Sequence, residues 1–485
     1  MRKTNLPEAG GLLLGWSRDR TQVYCNTEDS HSLIIGSTGS GKSRHLMIPS
    51  MALTALAGES IVATDIKREL YLYQCRCLER LGYEVITIDF IDPLRGNRYN
   101  FLQPVIDAVN MGDYAKAATW AQDISALLVP DKPNSNTDPL WSNGERAIIT
   151  VAILVVCILF DDPRWQNLAN ARHFIAKMCV PGPKGEPAPI VDYLNRLPDD
   201  SPMRTALDIA QIAPEKMQCS FYASALTTLS LFADPNIHDM TAMTDFDHMA
   251  TGDRKRAIFI ILPDERSGYY PMASLFVFQQ YQLLVQAAKD NGNRLNRRVE
   301  FFCDEFGNFV KIPDWDKAIT VGRGYGCRFH MAVQDTGQIY AKYGQELGKT
   351  ITSNCDTWVY LRTGNPDTVK ELVEKLGKYT IKSPNVSSSS DGHGSAGFSY
   401  TGRELLSAEE IQRIERPWQL VIHKGKNAMM YAPDISKTVF NTMLGMGNKR
   451  HNQKLQQLRN LQRPTRSASV SYWDGYKQIL GGKEK

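Results

Sequence analysis

The chain has 485 residues, of which 42% are hydrophobic and 22% are charged, an ordinary globular composition that excludes a disordered, collagen-like or coiled-coil protein. The formal net charge of +4 excludes a globally basic, histone-like binder. The charge is uneven, because residues 446–485 carry nine Lys and Arg against two acidic residues, while the rest of the chain is slightly acidic.

Short apolar strands alternate with helical stretches over the first hundred residues. The run Ser32–Ile35 predicts a buried strand that leads into a glycine-rich loop, and Ser43–Leu56 predicts the helix that follows it. Strands predicted at Ile61–Asp65 and Val85–Asp89 flank a helix at Glu69–Leu81. This alternation predicts a parallel sheet that is covered by helices on both faces.

The alternation stops near Pro104 and returns with the apolar strand Ala257–Leu262. Between them, the apolar run Ala147–Phe160 has 14 residues, fewer than the ~20 that span a bilayer, and predicts a buried helix. We therefore predict an α/β fold of the P-loop NTPase (RecA/AAA-like) type, a parallel sheet with an inserted all-alpha domain. Its predicted parts are a nucleotide-binding domain in two pieces, 1–105 and 249–445, an all-alpha insert, 106–248, and a basic C-terminal tail, 446–485.

The segment after the first buried strand carries a phosphate-binding motif. Residues 36–43 match the pattern G-x-x-x-x-G-K-[ST], and they stand between a strand and a helix. The glycines let backbone N–H groups surround a β-phosphate, Lys42 would bridge the β- and γ-phosphates, and Ser43 would hold Mg²⁺. The motif predicts an ATP and Mg²⁺ site with the binding residues Gly36, Ser37, Thr38, Gly39, Ser40, Gly41, Lys42 and Ser43.

A later strand supplies the acidic residues that such a loop requires. The apolar run Val299–Cys303 ends in Asp304 and Glu305. Asp304 would hold the Mg²⁺ shell, and Glu305 would act as the general base toward the attacking water. An adjacent Asp-Glu pair is typical of ATP-hydrolysing motors.

Three more polar residues are candidates for the same site, each with a structural alternative. Arg323, in a glycine-rich segment, could reach the γ-phosphate of a neighbouring subunit or be a surface arginine. Gln334 ends a predicted strand and could sense the γ-phosphate or be a turn residue. Asp65 also ends a strand, where it could lie near the metal or cap the following helix.

Cationic and flexible segments are candidates for contacts with DNA. The arginines in Arg294–Arg298 and the Lys and Arg residues of the tail could contact DNA or an anionic membrane, or form a solvated face. The Ser- and Gly-rich stretch Ser383–Thr401 is predicted as a mobile loop that could line a channel or lie at the surface. No helix-turn-helix, zinc-finger or RNA-binding signature is visible, so any DNA binding is expected to be independent of base sequence.

The order of these segments resembles the type IV coupling proteins of the TraG/TraD family, over about residues 10–440. The specific part is the combination of D-x-K-x-E at Asp65–Glu69, D-E-F at Asp304–Phe306, and Arg323 ahead of the strand that ends at Gln334. The stretch Arg403–Ile411 is similar to a late segment of that family.

The resemblance implies an ATPase that assembles as a homo-hexamer at the cytoplasmic face of a bacterial membrane and delivers substrates to a type IV secretion or conjugation channel. It also implies that the all-alpha domain recognises substrates. The implied catalytic residues are Lys42, Glu305, a trans-acting arginine finger Arg323 and a γ-phosphate sensor Gln334, with Ser43 and Asp304 at the metal. The implied partners are single-stranded DNA, relaxase or relaxosome proteins, and the ATPases and membrane components of the channel.

Two features depart from the family pattern. Family members usually begin with transmembrane helices, and neither such a run nor a signal peptide is visible here. We therefore expect a soluble chain, either trimmed of its membrane segment or anchored by a partner, and nine scattered cysteines without a C-x-x-C pair fit a reducing cytosol. Arg68 stands where the family often has glycine, so the turn there is expected to differ.

Two alternative functions stay open at the level of sequence. One is an FtsK/HerA-like DNA translocase outside secretion, which the long helical insert disfavours. The other is a nucleotide-gated substrate receptor with little turnover.

Overall fold

The computed structural model describes residues 9–66, 68–130, 139–179, 188–388, 394–446 and 448–476. The strands are β1 (Leu12–Trp16), β2 (Val23–Asn26), β3 (Ser32–Gly36), β4 (Ser60–Ile66), β5 (Glu84–Asp89), β6 (Arg256–Leu262), β7 (Val299–Cys303), β8 (Cys327–Val333), β9 (Thr357–Arg362), β10 (Lys378–Ser388), β11 (Gly394–Glu404), β12 (Trp418–His423) and β13 (Lys426–Tyr431). The helices are α1 (Ile48–Ala57), α2 (Glu69–Arg80), α3 (Gln103–Asn110), α4 (Tyr114–Leu128), α5 (Pro139–Leu159), α6 (Leu168–Met178), α7 (Pro189–Leu194), α8 (Pro202–Gln211), α9 (Glu215–Thr228), α10 (Pro235–Thr241), α11 (Tyr270–Asp290), α12 (Trp315–Tyr325), α13 (Gly337–Tyr343), α14 (Gln345–Ser353), α15 (Pro366–Leu376), α16 (Ala408–Gln412), α17 (Asn441–Leu444) and α18 (Lys449–Gln462).

A large sheet forms the centre of the fold. Within the described ranges, eleven strands join in the order β2-β1-β13-β12-β9-β3-β8-β7-β4-β6-β5. The part from β9 to β5 is parallel, and every residue of β3, β4, β6, β7 and β8 is buried, as expected for strands covered on both faces. The predicted α/β fold with a parallel sheet is confirmed.

The sheet also has an antiparallel extension that the sequence did not predict. Strand β12 pairs antiparallel with β9, and β13, β1 and β2 continue the sheet beyond it. A tight turn joins β12 to β13 through Lys424 and Gly425, which have φ angles of 47° and 76°, the positive values that two-residue hairpin turns require. These short strands come from segments far apart in the chain, so no local pattern reveals that they pair with one another.

Helices α3 to α10 follow one another between β5 and β6, and this part of the described chain contains no strand. Helix α5 is their centre and packs against α4, α6, α8 and α9. It is long and apolar enough to cross a membrane by length and composition, with a mean hydropathy of 1.7, but 72% of the apolar window is buried inside the protein. The buried helix predicted at this place is therefore present, while the domain boundaries at 106 and 248 remain predictions.

The Ser- and Gly-rich stretch predicted as a mobile loop is a β-ribbon in its described part. Strands β10 and β11 pair without interruption from Lys378 opposite Glu404 to Ser388 opposite Gly394, and the residues between them, 389–393, lie outside the described residues. The prediction failed because it relied on composition. Tyr, Ile, Val, Thr and Phe are interspersed among the serines, and these residues favour extended backbone.

The basic tail folds back onto the protein, and three of its arginines pair within the fold. This is neither the contact with DNA or membrane nor the solvated face that the sequence left open for them. Helix α18 lies beside α2, and its Arg459 is 3% exposed and donates to Asp89 Oδ2 at 2.7 Å. Arg463 donates to Val85 O and to Thr87 Oγ1, both at 2.6 Å. The sequence could not distinguish cations that face solvent from cations that pair within the fold.

After α18, residues 463–476 continue as a C-terminal strap from the sheet to the helical segment. Arg466 Nη2 donates to Asp239 Oδ2 at 3.3 Å. The Trp473 ring stacks on Phe160 with centroids 4.2 Å apart, and Asn170 donates to Ser471 O at 3.0 Å. The strap thus links the edge strand β5 to α6 and the end of α5. Residues 477–485 of the predicted tail lie outside the described residues.

We expect Arg459→Met to lower the free energy of unfolding by about 2–3 kcal/mol, because it removes a charged hydrogen bond from a buried carboxylate. Asp89 is 0% exposed and would keep Arg68 as a partner at 2.8 Å, which limits the loss. Urea denaturation followed by circular dichroism measures the change. Lys454→Met, at an exposed position on the same helix, is the matched control. Equal midpoints for the two variants would contradict a structural role for the Arg459 pair.

Candidate functional site

The phosphate loop follows the carboxyl end of β3, and its backbone explains its glycines. Gly39 and Gly41 have φ angles of 75° and 96°, which glycine adopts without strain. A Cβ at Gly36 would lie 2.4 Å from Ser40 Oγ, so a side chain there would displace the loop. The loop leads into a π-helical turn over Lys42–Met47 and then into α1. Such turns occur frequently at functional sites.

Lys42 lies folded over this loop. Its Nζ donates to Gly36 O at 2.6 Å and is 3.5 Å from Glu305 Oε1, and its side chain is 5% exposed. A lysine held between a backbone carbonyl and a carboxylate can exchange these partners for phosphate oxygens. Ser43 and Lys42 line one cavity next to this loop.

The two acidic residues lie directly after β7, as the sequence predicted. Asp304 is 6% exposed and accepts from Glu305 N–H at 3.1 Å. Burial raises the pKa of Asp304 to about 6, and the neighbouring Glu305 carboxylate adds to the rise. Glu305 has a φ of 50°, a left-handed conformation that costs a non-glycine residue energy and clusters at active sites.

Gln334 joins these residues because β8 lies between β3 and β7 in the sheet. The carboxyl ends of the three parallel strands therefore meet at one edge. Gln334 Nε2 is 3.5 Å from Glu305 Oε2, and Gln334 N–H donates to Gln338 Oε1 at 2.9 Å. The structure thus brings together Lys42, Ser43, Asp304, Glu305 and Gln334.

Arg323 does not reach this site within its own chain. It lies in the last turn of α12, where its Nη1 is 3.3 Å from Asp356 Oδ2. Asp356 immediately precedes β9, whose first residue pairs with Ser32 at the start of β3. Arg323 therefore lies near the amino ends of the parallel strands, whereas the phosphate loop lies at their carboxyl ends. Its side chain is 41% exposed, as its structural alternative of a surface arginine predicted, and its action on another subunit stays a prediction.

Asp65 caps the helix after its strand, which was one of its two predicted roles. Its carboxylate accepts from Leu70 N–H at 3.1 Å and from Tyr71 N–H at 2.7 Å. Burial raises the pKa of Asp65 to about 7.

Arg68, where the family often has glycine, has a φ of 66°, a conformation that glycine adopts freely. The ion pair of Arg68 with Asp89 at 2.8 Å helps to hold this conformation. Lys67, between Asp65 and Arg68, lies outside the described residues.

Most of the predicted residues line a cavity of about 410 Å³, but Gly36, Ser40 and Arg323 do not. Several of its other lining residues were missed by the sequence reasoning. A second cavity of about 740 Å³ adjoins it along Ser37–Ser40, with Leu361–Gly364 and Ile414–Arg416 as its other wall. Arg416 lines both cavities. Glu69 ends the D-x-K-x-E segment but was not assigned to the site. The other missed residues come from segments far apart in the chain, and no motif marks them: Arg44, Asp264, Tyr270, Asn308 and Arg416.

The residues present fit a nucleotide with Mg²⁺. Ser40 Oγ is buried and has no hydrogen-bond partner among the described residues, which suits a site that a ligand completes. The raised pKa of Asp304 indicates a buried carboxylate whose charge is not fully compensated, as expected where a cation binds. Ser43 and Asp304 offer the oxygen ligands that Mg²⁺ prefers.

The basic cluster Arg294–Arg298 immediately precedes β7, and two of its arginines pair with acidic residues of the fold. Arg298 contacts Glu59 at 2.6 Å and Asp29 at 3.0 Å, and Arg294 contacts Asp29 at 3.0 Å. These ion pairs lie at the amino end of β7, away from the phosphate loop. They leave this cluster less available for DNA than its composition indicated.

Comparison with known proteins identifies the family. The family described as "Type IV secretory system Conjugative DNA transfer" matches residues 3–433. Protein VirD4 of Rhizobium radiobacter is 25% identical over 434 residues, which are 87% of this chain and 60% of that protein. The chain thus spans about 60% of the length of the curated relatives that it matches.

Solved structures share the fold. The bacterial conjugative coupling protein TrwB, in a form with sulphate, has a TM-score of 0.62 at 16% identity over 85% of this chain and 87% of that one. TrwB in complex with ADP and Mg²⁺ has a TM-score of 0.60 at 17% identity, over 84% and 86%. The family match confirms the resemblance to the type IV coupling proteins, and the chain belongs to the type IV secretory system conjugative DNA transfer family.

Proposed function

We propose that this chain is the ATP-hydrolysing part of a coupling protein that recruits DNA–protein substrates and delivers them to a type IV secretion or conjugation channel. The observation that supports this most is that Lys42 Nζ and Gln334 Nε2 each lie 3.5 Å from a carboxylate oxygen of Glu305, in a chain of this family. The relatives named VirD4 and TraD include proteins described as coupling proteins, and TrwB binds ADP and Mg²⁺.

The proposed chemistry is hydrolysis of ATP to ADP and phosphate. Ser43 and Asp304 would hold Mg²⁺, which draws negative charge from the phosphates when bound. Lys42 would leave Gly36 O for the β- and γ-phosphate oxygens. Glu305 would take a proton from the attacking water as it bonds to the γ-phosphorus, and the Gln334 amide would orient that water or the γ-phosphate. Afterwards Glu305 returns the proton to solvent.

We further propose that the site is completed in a homo-hexameric ring. Arg323 is partly exposed near the amino ends of the parallel strands, whereas its own phosphate loop lies at their carboxyl ends. A γ-phosphate that it contacts would therefore have to be bound by another subunit. There it would stabilise the charge that develops on the γ-phosphoryl group.

The other predicted parts keep their proposed roles. The nucleotide-binding pieces 1–105 and 249–445 would form the motor, and the all-alpha insert 106–248 would recognise substrates. We propose a place at the cytoplasmic face of the bacterial membrane. The proposed partners are sequence-independent single-stranded DNA, relaxase or relaxosome proteins, and the channel ATPases and membrane components.

The test measures ATP hydrolysis with and without single-stranded DNA, and conjugative transfer from a host that lacks the gene. We expect single-stranded DNA to stimulate hydrolysis, and the wild-type gene, but not Lys42→Ala, to restore transfer, because Lys42 is the cation that contacts the phosphates. A wild-type chain that binds ATP without turnover would indicate a nucleotide-gated receptor. Hydrolysis with undiminished transfer from the deletion host would indicate a DNA translocase outside secretion.

A further inference from the structure

The β10–β11 ribbon exposes aromatic side chains that no core explains. The side chains described in residues 378–383 and 398–404 are exposed or half-buried, and none is buried. Phe398 is 64% exposed and Tyr400 is 71% exposed. A two-stranded ribbon gains little stability from its own contacts, so large apolar rings on it indicate a surface that binds something else.

These rings share one face of the ribbon with a cation. In the pairing register, Lys382 lies opposite Tyr400 and Pro384 lies opposite Phe398, and alternate positions of a strand share a face. Lys382 Nζ is 3.7 Å from the centre of the Phe398 ring. We call Lys382, Phe398 and Tyr400 the aromatic face.

The chemistry of this face complements a single-stranded nucleic acid. Flat rings stack on bases, an ammonium group pairs with phosphates, and each base stack is worth about 1–3 kcal/mol without regard to base identity. The described part of the ribbon carries Lys378, Lys382 and Arg403 against one acidic residue, Glu404. Arg403 pairs with Glu410 of α16 at 3.0 Å, and the remaining excess of cations favours an anionic partner over a neutral or basic one. Bases are accessible for stacking only where the strands are separated.

The two feet of the ribbon, where β10 begins and β11 ends, are each connected to a wall of the nucleotide site. Residues 361–364 line the cavity beside the phosphate loop, and α15 connects them to β10. On the other side, α16 connects β11 to residues 414–416, which line the same cavity. Helices α15 and α16 pack together, and Leu405 N–H donates to Gly377 O at 3.0 Å between the two feet. A displacement of either wall would therefore move the ribbon.

We propose that the aromatic face is a binding site for single-stranded nucleic acid whose affinity depends on the nucleotide bound beside the phosphate loop. This inference rests on the proposed function, since it assumes that the chain acts on DNA and binds ATP. It assigns the contact to a ribbon, whereas Arg459 and Arg298 of the basic clusters that composition suggested are paired within the fold.

The experiment measures binding of a fluorescent oligo-dT strand by anisotropy, in the presence of ADP or of a non-hydrolysable ATP analogue. Truncation of both rings, Phe398→Ala with Tyr400→Ala, is expected to weaken binding by about ten- to a hundredfold, since up to two base stacks are lost. Tyr379→Ala is the matched control, because Tyr379 is 42% exposed on the opposite face of the same ribbon and should bind the strand as the wild type does. Circular dichroism checks that each variant is folded.

Three outcomes would overturn the inference. If the wild type binds the strand and the double variant binds it equally well, the aromatic face is not the binding site, while the proposed function stands. Loss of binding together with loss of the oligomer, measured by light scattering, would show that the ribbon joins copies of the chain. Equal wild-type affinities with the two nucleotides would remove the coupling. A wild type that neither binds nor responds to DNA would instead count against the proposed function itself.

Discussion

Glu305→Gln is expected to lower kcat for ATP hydrolysis by a factor of about 10²–10⁴, the usual contribution of a general base. The amide has nearly the shape of the carboxylate but cannot accept the proton of the attacking water. Nucleotide binding should persist, because Lys42 would keep its contact with Gly36 O or with phosphate. Steady-state hydrolysis and equilibrium binding of a fluorescent ATP analogue, measured on the same preparation, separate the two effects.

A matched control lies in the same cavity. Glu69 also lines it, but it lies in the first turn of α2 and, among the described residues, neither hydrogen-bonds nor ion-pairs with Lys42 or Gln334. We expect Glu69→Gln to cause a much smaller loss of kcat than Glu305→Gln. If the two variants lose the same activity, or if Glu305→Gln retains DNA-stimulated hydrolysis, the assignment of Glu305 as the base is wrong.

Arg323→Ala is expected to lower kcat by a factor of about 10³–10⁵, the range for an arginine that stabilises a phosphoryl-transfer transition state. Its ion pair with Asp356 is partly exposed, and such pairs contribute about 0–1 kcal/mol, so loss of folding would not explain the effect. Lys317→Ala, at a 72% exposed position on the same helix, is the control and should retain activity.

Mixing two inactive variants tests whether Arg323 acts between subunits. In a ring assembled from Lys42→Ala and Arg323→Ala chains, some interfaces combine an intact Lys42 from one chain with an intact Arg323 from the next. Activity should therefore reappear in the mixture and vary with the mixing ratio. Absence of recovery at every ratio, with mixed assembly shown by differently tagged chains, would contradict a role in trans.

The parts of the site that could be predicted from the sequence are those encoded locally. The phosphate loop and the Asp304-Glu305 pair each follow an apolar strand, and carboxyl ends of parallel strands meet at one edge. Gln334 could be placed for the same reason. Arg416 could not be placed, because it reaches the cavity through the antiparallel strand β12, whose position depends on long-range pairing.

Cationic residues were the least predictable part of the molecule. Arg459 and Arg298 carry the same charge as exposed residues in the same clusters, yet Asp89 and Glu59, far away in the sequence, pair with them. The ribbon was missed for a different reason, since its register depends on two strands that are each weakly patterned. Composition describes how many charges a segment has, and the fold decides which of them remain available.

The C-terminal strap has a consequence for solubility. Strand β5 is the last strand at its side of the described sheet, and exposed edge strands are templates for pairing with another chain. Here Asn97 bonds to both Thr87 N–H and Thr87 O, and the Arg463 guanidinium occupies Val85 O. Asn97, through its backbone N–H and its side chain, and the Arg463 side chain thus pair with these edge groups without adding a strand. A chain that ended before Arg463 would expose part of that edge and be prone to aggregate through it.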